Sequence, residues 1–256
     1  MLNFELKGDV LQRSRGRSMK NKSLFITGTN TGIGKTVICG CLARYLSRKG
    51  INVGIQKWVS TGNRNTSDDM DCCLSMLGRE KEDIDNPLLL HPYTFDFPAS
   101  PHLAAEMEGK EIDINKIAES YHTLVQRHDL LIVEGVGGVL VPLTQDRLLI
   151  DLVADLAIPV LIVTDSGLGT INHTLLTIEA LTKRGIPILG MVFNFAGKEN
   201  KIIEADNIKT ISRIGKRPSF GSLSRVDSTE ALIAEFEPIG KNILKALNRS
   251  WEHIIL

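Results

Sequence analysis

The chain has 256 residues, of which 43% are hydrophobic and 23% charged, and its thirty basic and thirty acidic side chains balance to a formal net charge of zero. This composition is ordinary for a globular protein, and the length suits one α/β domain. The neutral charge argues against nucleic acid as a partner, because domains that bind it usually carry a basic excess. Every apolar run is shorter than the roughly eighteen residues of a membrane span, so we expect no membrane partner.

The first eighteen residues differ from the rest, because they are polar and irregular and lack the apolar core of a secretory signal. Glu5 and Asp9 count against a transit peptide, which is poor in acidic residues. We expect residues 1–18 to be a disordered N-terminal extension and residues 19–256 to form a single α/β domain. Met19 is then an alternative start for the folded part.

The four cysteines follow C-x-C and C-C spacings, which match no ordinary zinc site. We interpret them as reduced thiols without a catalytic role, in a cytoplasmic protein. They are Cys39, Cys41, Cys72 and Cys73.

Short apolar runs alternate along the chain with longer segments of helical periodicity. Strands are predicted at 23–28, 52–57, 129–134, 158–164 and 188–193, and helices at 35–48, 69–77, 112–127, 171–184, 200–213 and 228–248. The strands are apolar throughout, which is typical of parallel strands that are buried on both faces. The alternation predicts the α/β class, with a doubly wound, mostly parallel sheet flanked by helices. Ligands bind such sheets at the carboxyl ends of the strands.

The most informative motif is Gly28-Thr-Asn-Thr-Gly-Ile-Gly-Lys-Thr36, which lies between the first predicted strand and the first predicted helix. Strand, glycine-rich turn and helix are the context that a phosphate-binding P-loop requires. Glycines let the backbone approach an anion closely, and the start of the helix adds the positive end of its dipole. We expect Lys35 to reach the β- and γ-phosphates of a nucleotide and Thr36 to bind Mg²⁺.

Residues suited to chemistry also follow the other predicted strands. Lys57 and Thr61 follow the second strand, Glu134 the third, Asp165-Ser-Gly-Leu-Gly169 the fourth and Asn194 the fifth. Because the carboxyl ends of parallel strands meet at one edge of a sheet, these residues are expected to converge there.

The acidic residues near that edge predict a magnesium site. Glu134 is expected to bind Mg²⁺ opposite Thr36, since Mg²⁺ prefers oxygen ligands and nucleotide phosphates. Either Asp68 or Asp69 is expected to supply a second carboxylate, and the other to cap the helix that follows.

Lys57 is unusual, because lysine seldom occurs in a buried parallel strand. Directed at the P-loop, its ammonium group would neutralise charge on a phosphoryl group during transfer. Gly135, Gly137 and Gly138 would let a substrate or a second anion approach the backbone closely.

Six motifs in order resemble those of the dethiobiotin synthetase family, over about Leu24 to Asn194. Gly28–Thr36 is similar to the family's G-T-x-T-x-x-G-K-T loop, in which five residues rather than four separate the first glycine from the Gly-Lys-Thr end. The other matching segments are Lys57–Gly62, Ser67-Asp68, Pro92–Phe95 with Pro98–His102, Val133–Gly138 and Gly169–His173.

The resemblance implies a ligase with the P-loop NTPase fold that acts on 7,8-diaminononanoate, CO₂ (or bicarbonate) and ATP, with Mg²⁺. One amine would take up CO₂ to form a carbamate, ATP would convert it to a carbamic–phosphoric anhydride, and the second amine would close the ring. The products would be dethiobiotin, ADP and phosphate, in the penultimate step of biotin synthesis.

The resemblance also implies roles for individual residues, in a homodimer with the substrate site near the interface. Catalysis would involve Lys57, Lys35 and Thr31. Asn194 would recognise adenine, and Asn172 would help to hold the substrate carboxylate. The residues expected to bind ATP are Gly32, Ile33, Gly34, Lys35, Thr36, Val37, Asp68, Glu134, Gly135, Val136, Gly137, Asn194 and Phe195. Those expected to bind the substrate are Thr31, Thr61, Gly137, Gly138 and Asn172, and those expected to bind metal are Thr36, Asp68 and Glu134.

Three positions depart from the family pattern, and one of them, Thr61, replaces a common serine but keeps the hydroxyl. Gly32 lies where some members carry glutamate, so it offers no side chain there. Gly221-Ser-Leu-Ser224 lacks the proline of the family's Gly-x-Ile-Pro segment, which leaves nucleotide selectivity open.

The alternative is a switch ATPase of the partitioning or cell-division type, which would act through a protein or membrane partner. Those proteins carry an additional lysine early in the loop, where this chain has Asn30. The basic, amphipathic segment 239–251 would suit a membrane surface, although a terminal helix that packs its apolar stripe on the domain is commoner.

Overall fold

The computed structural model describes residues 22–64, 67–78, 86–194, 200–226 and 228–252. Three sequence predictions lie outside these residues: the disordered extension 1–18, the alternative start at Met19, and Phe195 as an ATP ligand. The described strands are β1 (Lys22–Gly28), β2 (Val53–Lys57), β3 (Val59–Thr61), β4 (Tyr93–Phe95), β5 (Leu130–Gly138), β6 (Val160–Thr164), β7 (Ile188–Asn194) and β8 (Ser219–Leu223). The described helices are α1 (Lys35–Arg48), α2 (Asp68–Leu77), α3 (Pro87–Leu90), α4 (Pro101–Met107), α5 (Ile114–Arg127), α6 (Leu149–Asp155), α7 (Thr170–Lys183), α8 (Lys201–Gly215) and α9 (Thr229–Glu252).

Six strands form a parallel sheet in the order β2-β5-β1-β6-β7-β8. The chain builds the β2 and β5 side of β1 first and the β6 to β8 side afterwards, so the strand order reverses at β1. This confirms the predicted doubly wound sheet, and it makes the carboxyl end of β1 the switch point at which ligands of such sheets bind.

Each predicted strand and helix is present, with bounds that differ by at most four residues. The largest difference in a strand is at β5, which continues through its glycines because Gly138 still pairs with Gly28 of β1. The sequence analysis missed β8, at the edge of the sheet, and the small parallel sheet of β3 and β4. It also missed the short helices α3, α4 and α6. These elements are too short or too polar to show clear periodicity.

The helices begin and end where local chemistry favours it. The hydroxyl of Ser67 accepts a hydrogen bond from the main-chain nitrogen of Met70, which caps the start of α2. Gly78 ends α2 with a φ of 74°, in the left-handed region that favours glycine. Capping thus fixes α2, and with it the two aspartates of its first turn.

The terminal helix α9 packs its apolar stripe inside the protein. Phe236, Ile239, Ile243 and Leu247 recur at helical spacing and are at most 2% exposed. The helix lies close to α1, where a Cβ atom at Gly240 would lie only 2.6 Å from the Tyr45 ring. The stripe is therefore part of the core, as in the second interpretation of segment 239–251.

Within the described residues, none of the helices combines the length and the apolarity that a membrane span requires.

Candidate active site

The P-loop turns between β1 and α1 through two glycines in left-handed conformations, Gly32 at a φ of 74° and Gly34 at 92°. Lys35 is buried, and its Nζ donates a hydrogen bond to the main-chain oxygen of Asn30 at 3.0 Å. Asn30 Oδ1 accepts a bond from the main-chain nitrogen of Thr31 at 2.8 Å. The lysine and the loop thus support each other in the curved shape that surrounds a phosphate.

Three oxygen-bearing side chains meet beside the P-loop. Thr36 Oγ1, in the first turn of α1, lies 2.8 Å from Glu134 Oε1 and 2.9 Å from Asp69 Oδ1. A hydroxyl, two carboxylates and nucleotide phosphates are the hard oxygen ligands that Mg²⁺ prefers. The residues therefore fit a magnesium ion.

Lys57 lies next to these oxygens, because β2 and β5 pair with Lys57 opposite Glu134. Its Nζ is 3.1 Å from Glu134 Oε1 and forms a second ion pair with Asp69 Oδ2. The side chains of Lys57 and Glu134 are 5% and 1% exposed. A charged pair this deeply buried at a strand end is expensive to desolvate, which is typical of functional sites.

The ion pairs favour the charged forms of Lys57 and Asp69. Burial acts to lower the pKa of Lys57, but the carboxylates of Glu134 and Asp69 outweigh it and raise that pKa, so the ammonium group keeps its proton. Burial acts to raise the pKa of Asp69, and the charge of Lys57 reverses this and lowers it. Burial raises the pKa of Glu134 despite the attraction of Lys57. Burial lowers the pKa of Lys35, and Glu134 partly offsets the effect.

The structure separates the two candidate aspartates. Asp68 is exposed at the start of α2, and its main-chain nitrogen bonds to Asn63 Oδ1 at 3.3 Å. Asp69, one residue later, reaches both Thr36 and Lys57. The first turn of α2 thus directs Asp69 rather than Asp68 towards Glu134. Neither caps the helix with its side chain, since Ser67 has that role.

The predicted substrate residues come from the P-loop, from the ends of strands β5 and β3, and from helix α7. A Cβ atom at Gly137 would lie 3.5 Å from Thr31 Oγ1, and one at Gly138 would lie 3.5 Å from the main-chain oxygen of Gly28, so the glycines of β5 face the P-loop. Thr61 ends β3 and is half-buried. Asn172 is exposed in the first turn of α7, and no hydrogen bond links it to the P-loop within the described part of the chain.

The remaining predicted ATP ligands surround the loop. Asn194, at the end of β7, donates from Nδ2 to the main-chain oxygen of Ile33 at 2.8 Å, which places it against the P-loop but uses one side of its amide. Val37 is half-buried in the first turn of α1. Gly135 lies close to Phe25, where a Cβ atom would come within 2.8 Å of the ring, and Val136 is half-buried beside it.

Sequence reasoning missed a group of threonines that links the P-loop to α7. Thr164 Oγ1, at the end of β6, lies 3.3 Å from Thr29 Oγ1, 2.9 Å from Thr170 Oγ1 and 2.7 Å from Thr174 Oγ1. Thr170 also donates to the main-chain oxygen of Asp165 at 2.8 Å. The spacing of Thr170 and Thr174, one helical turn apart after a strand end, was the available signal.

Cys73 of α2 was also missed as a neighbour of the site. Its Sγ lies 3.9 Å from Glu134 Oε2 and 3.4 Å from the main-chain oxygen of Thr36. The hydrogen bond with Cys39, and then burial, hold the pKa of the Cys73 thiol well above its usual range. The thiol is therefore protonated, and both oxygens lie within reach of its single hydrogen.

The chain matches a known protein family, and its similar relatives share one name. A family described as an AAA domain matches residues 22–232. An ATP-dependent dethiobiotin synthetase BioD from Chlorobaculum tepidum is 42% identical over 218 residues, which cover 85% of this chain and 91% of that protein. A protein of the same name from Methanocaldococcus jannaschii is 37% identical over 220 residues, covering 84% of this chain and 99% of the relative.

The solved structures that resemble this one are more distant in sequence. A complex of a Cyanothece McdA variant with ATP superimposes with a TM-score of 0.57 at 16% identity, over 90% of this chain and 97% of that one. The ParA protein of pNOB8 gives 0.57 at 16% identity, over 90% and 99%. At this level of identity, the likeness shows the fold alone.

Proposed function

This chain belongs to the family of ATP-dependent dethiobiotin synthetases, and we propose that it closes the ring of dethiobiotin at the edge of the sheet where Lys57, Thr36, Asp69 and Glu134 meet. The chain is an ATP-dependent ligase of biotin biosynthesis that forms a carbon–nitrogen bond. The observation that supports the proposed site is the buried Lys57–Glu134 pair beside Thr36 and the P-loop.

The proposed reaction develops charge at one point. CO₂ adds to one amine of 7,8-diaminononanoate to give a carbamate, and a carbamate oxygen attacks the γ-phosphorus of ATP as ADP leaves. The second amine then attacks the carbonyl carbon of the carbamic–phosphoric anhydride, and phosphate leaves as the ring closes. Two anions must approach each other in the phosphoryl transfer, so positive charge fixed in advance lowers its barrier.

The residues of the chain divide this work. Lys35 neutralises the β- and γ-phosphates, and Lys57, held charged by its carboxylate partners, faces the phosphoryl group and the carbamate. The hydroxyl of Thr31 would position the amine or carbamate next to Gly137. Thr36, Asp69 and Glu134 would hold Mg²⁺, which when bound would neutralise phosphate charge. In this set Asp69 takes the place that the sequence analysis assigned to Asp68.

The substrate would extend from the P-loop towards α7. Thr61 and Gly138 would bind its reacting end, and Asn172 would hold its carboxylate. We also propose the homodimer implied by the family, with α7 at the interface. Leu176 lies one turn after Asn172 in α7, and Leu168 lies in the segment just before the helix. They support this proposal, because they are 56% and 80% exposed and large exposed apolar side chains suit a partner surface.

We further infer that the protein works in the cytoplasm, since its four cysteines are free thiols and such thiols persist in a reducing compartment. The switch ATPase has less support. The apolar stripe of α9 is buried in the protein, and Asn30 occupies the place of the additional lysine.

The test is ADP release from purified protein with Mg-ATP and bicarbonate, with and without 7,8-diaminononanoate, while dethiobiotin is followed by mass spectrometry. We expect turnover that depends on the diamine and falls at least about a hundredfold in Lys57→Met, as for loss of a charge that stabilises a transition state. Lys49→Met, which removes an exposed lysine paired with Glu237, is the matched control and should keep its activity.

Lys57→Arg keeps the charge and serves as a second variant if Lys57→Met does not fold. ATP hydrolysis that is indifferent to the diamine, without dethiobiotin, would contradict the proposal and favour the switch ATPase. Full activity in folded Lys57→Met would remove Lys57 from the mechanism.

A further inference from the structure

Two cysteine thiols and the carboxylate of Glu134 lie close together next to Thr36 and Asp69, the proposed oxygen ligands of Mg²⁺. Cys39 of α1, Cys73 of α2 and Glu134 of β5 are all buried, and one ligand atom from each lies within 4.8 Å of the other two. The reaction proposed above uses neither thiol.

The two helices place these thiols by their periodicity. Cys39 follows Thr36 by three residues, and Cys73 follows Asp69 by four. Residues three and four apart lie on the same face of a helix, so each thiol lies about one turn behind an oxygen ligand. Glu134 contacts both the oxygen ligands and the thiols. Its Oε1 contacts Thr36 and Lys57, and its Oε2 lies 3.9 Å from Cys73 Sγ.

We propose that Cys39, Cys73 and Glu134 form a capture site for a soft divalent cation of the Zn²⁺ or Cd²⁺ class. Sulfur ligands select such ions over Mg²⁺, which binds oxygen. Zinc binds sulfur at about 2.3 Å, so a tetrahedral angle places two sulfurs about 3.8 Å apart. The ligand atoms need to move by only about an ångström to reach that geometry.

A further oxygen lies beside the three ligand atoms. The main-chain oxygen of Thr36 is 3.4 Å from Cys73 Sγ, which makes it a candidate for a fourth ligand. On binding, each thiol releases its proton to solvent, and two thiolates with one carboxylate then surround the dication. The C-x-C and C-C spacings in the sequence do not reveal this site, because its ligands come from two helices and a strand.

Capture would interfere with the proposed reaction. A cation bound to Oε2 would draw Glu134 away from Thr36 and Lys57. It would also take up the negative charge of Glu134 that Lys57 and Mg²⁺ otherwise use. Loss of ligase activity on capture therefore rests on the proposed function, whereas capture itself does not.

The direct test is titration of the full-length protein with Cd²⁺ alone in buffer free of Mg²⁺ and of added thiols. Binding is followed by the ultraviolet charge-transfer band of cadmium–thiolate bonds and by metal analysis after gel filtration. We expect one Cd²⁺ per chain with a thiolate band, and affinity at least about tenfold weaker in Cys39→Ser and Cys73→Ser. Cys41→Ser and Cys72→Ser remove thiols from the same two helices and should bind as the unaltered protein does.

Cys39→Ala and Cys73→Ala repeat the test if a serine variant does not fold. Capture is refuted if the unaltered protein shows no thiolate band, or if binding is lost in Cys41→Ser or Cys72→Ser instead. In parallel, Zn²⁺ should inhibit diamine-dependent turnover of the unaltered protein more than that of Cys73→Ser. Equal inhibition of the two would refute the effect on activity and leave capture standing. A protein without diamine-dependent turnover would refute the proposed function, while the cadmium band would still decide capture.

Discussion

At the scale of single residues, the two aspartates at the start of α2 provide a matched pair. Asp69 reaches Thr36 and Lys57, whereas Asp68 is exposed one residue earlier. We expect Asp69→Asn to lower diamine-dependent turnover by about ten- to a hundredfold and to raise the Mg²⁺ concentration needed for half-maximal rate, because the side chain that is the proposed metal ligand and the partner of Lys57 would lose its charge. Asp68→Asn should change neither. Steady-state rates over a Mg²⁺ series measure both effects.

A larger loss in Asp68→Asn than in Asp69→Asn would show that α2 turns differently in the working enzyme. Circular dichroism melts of both variants separate this outcome from unfolding.

The sequence predicted most of this site for a physical reason. Lys57 ends β2 opposite Glu134 of β5, and Thr36 lies in the first turn of the helix that follows β1, so the parallel sheet and the P-loop together bring them to one edge. Asp68 and Asp69 differ by one position in a helix, which is a rotation of about 100°. That rotation depends on where Ser67 caps α2, which spacing alone does not fix.

At the scale of elements, the group of threonines joins the P-loop to the start of α7. Thr164 is fully buried and its hydroxyl contacts three others. Thr164→Val keeps the shape of the side chain but leaves buried hydroxyls with fewer partners, so we expect it to lower the free energy of unfolding by about 1–3 kcal/mol. Urea unfolding at neutral pH measures this.

Thr27→Val is the control for that prediction. Thr27 is also fully buried in the sheet, but its Oγ1 has no hydrogen-bond partner among the described residues. Removing a buried hydroxyl without a partner should leave stability unchanged or increase it. If both variants lost the same stability, the hydroxyl contacts of Thr164 would contribute nothing specific.

The five main strands were predictable because each contains a short apolar run bounded by turn signals. β8 was missed because Ser219-Phe-Gly-Ser-Leu223 is short and only partly apolar, as an edge strand can be when one of its sides has no partner. β3 and β4 have three residues each, and their pairing depends on a contact between segments that lie more than thirty positions apart. Local pattern contains no information about such a contact.

At the scale of the whole molecule, the parallel sheet followed from the alternation of strands and helices, but the strand order did not. The order of the strands depends on the side of β1 to which each connection crosses. The strands on both sides are equally apolar, so the sequence does not distinguish them. The position of α9 was also open, because an amphipathic helix is equally suited to a membrane surface and to a protein core. The contact of Gly240 with Tyr45 shows which of the two this helix adopts.

Two copies of the chain are expected to associate through α7. Leu176 is 56% exposed on the helix that carries Asn172, and Leu88 is 64% exposed on α3, which lies beside the edge strand β2. We expect the unaltered chain to be a dimer and Leu176→Glu to dissociate it, because an apolar interface would have to desolvate an unpaired carboxylate. Leu88→Glu should remain dimeric. Light scattering after gel filtration, over a range of protein concentrations, gives the mass of each species. An unaltered chain that is monomeric at every concentration, or dissociation by Leu88→Glu alone, would place α7 outside any interface, and Asn172 would then have to hold the substrate within a single chain.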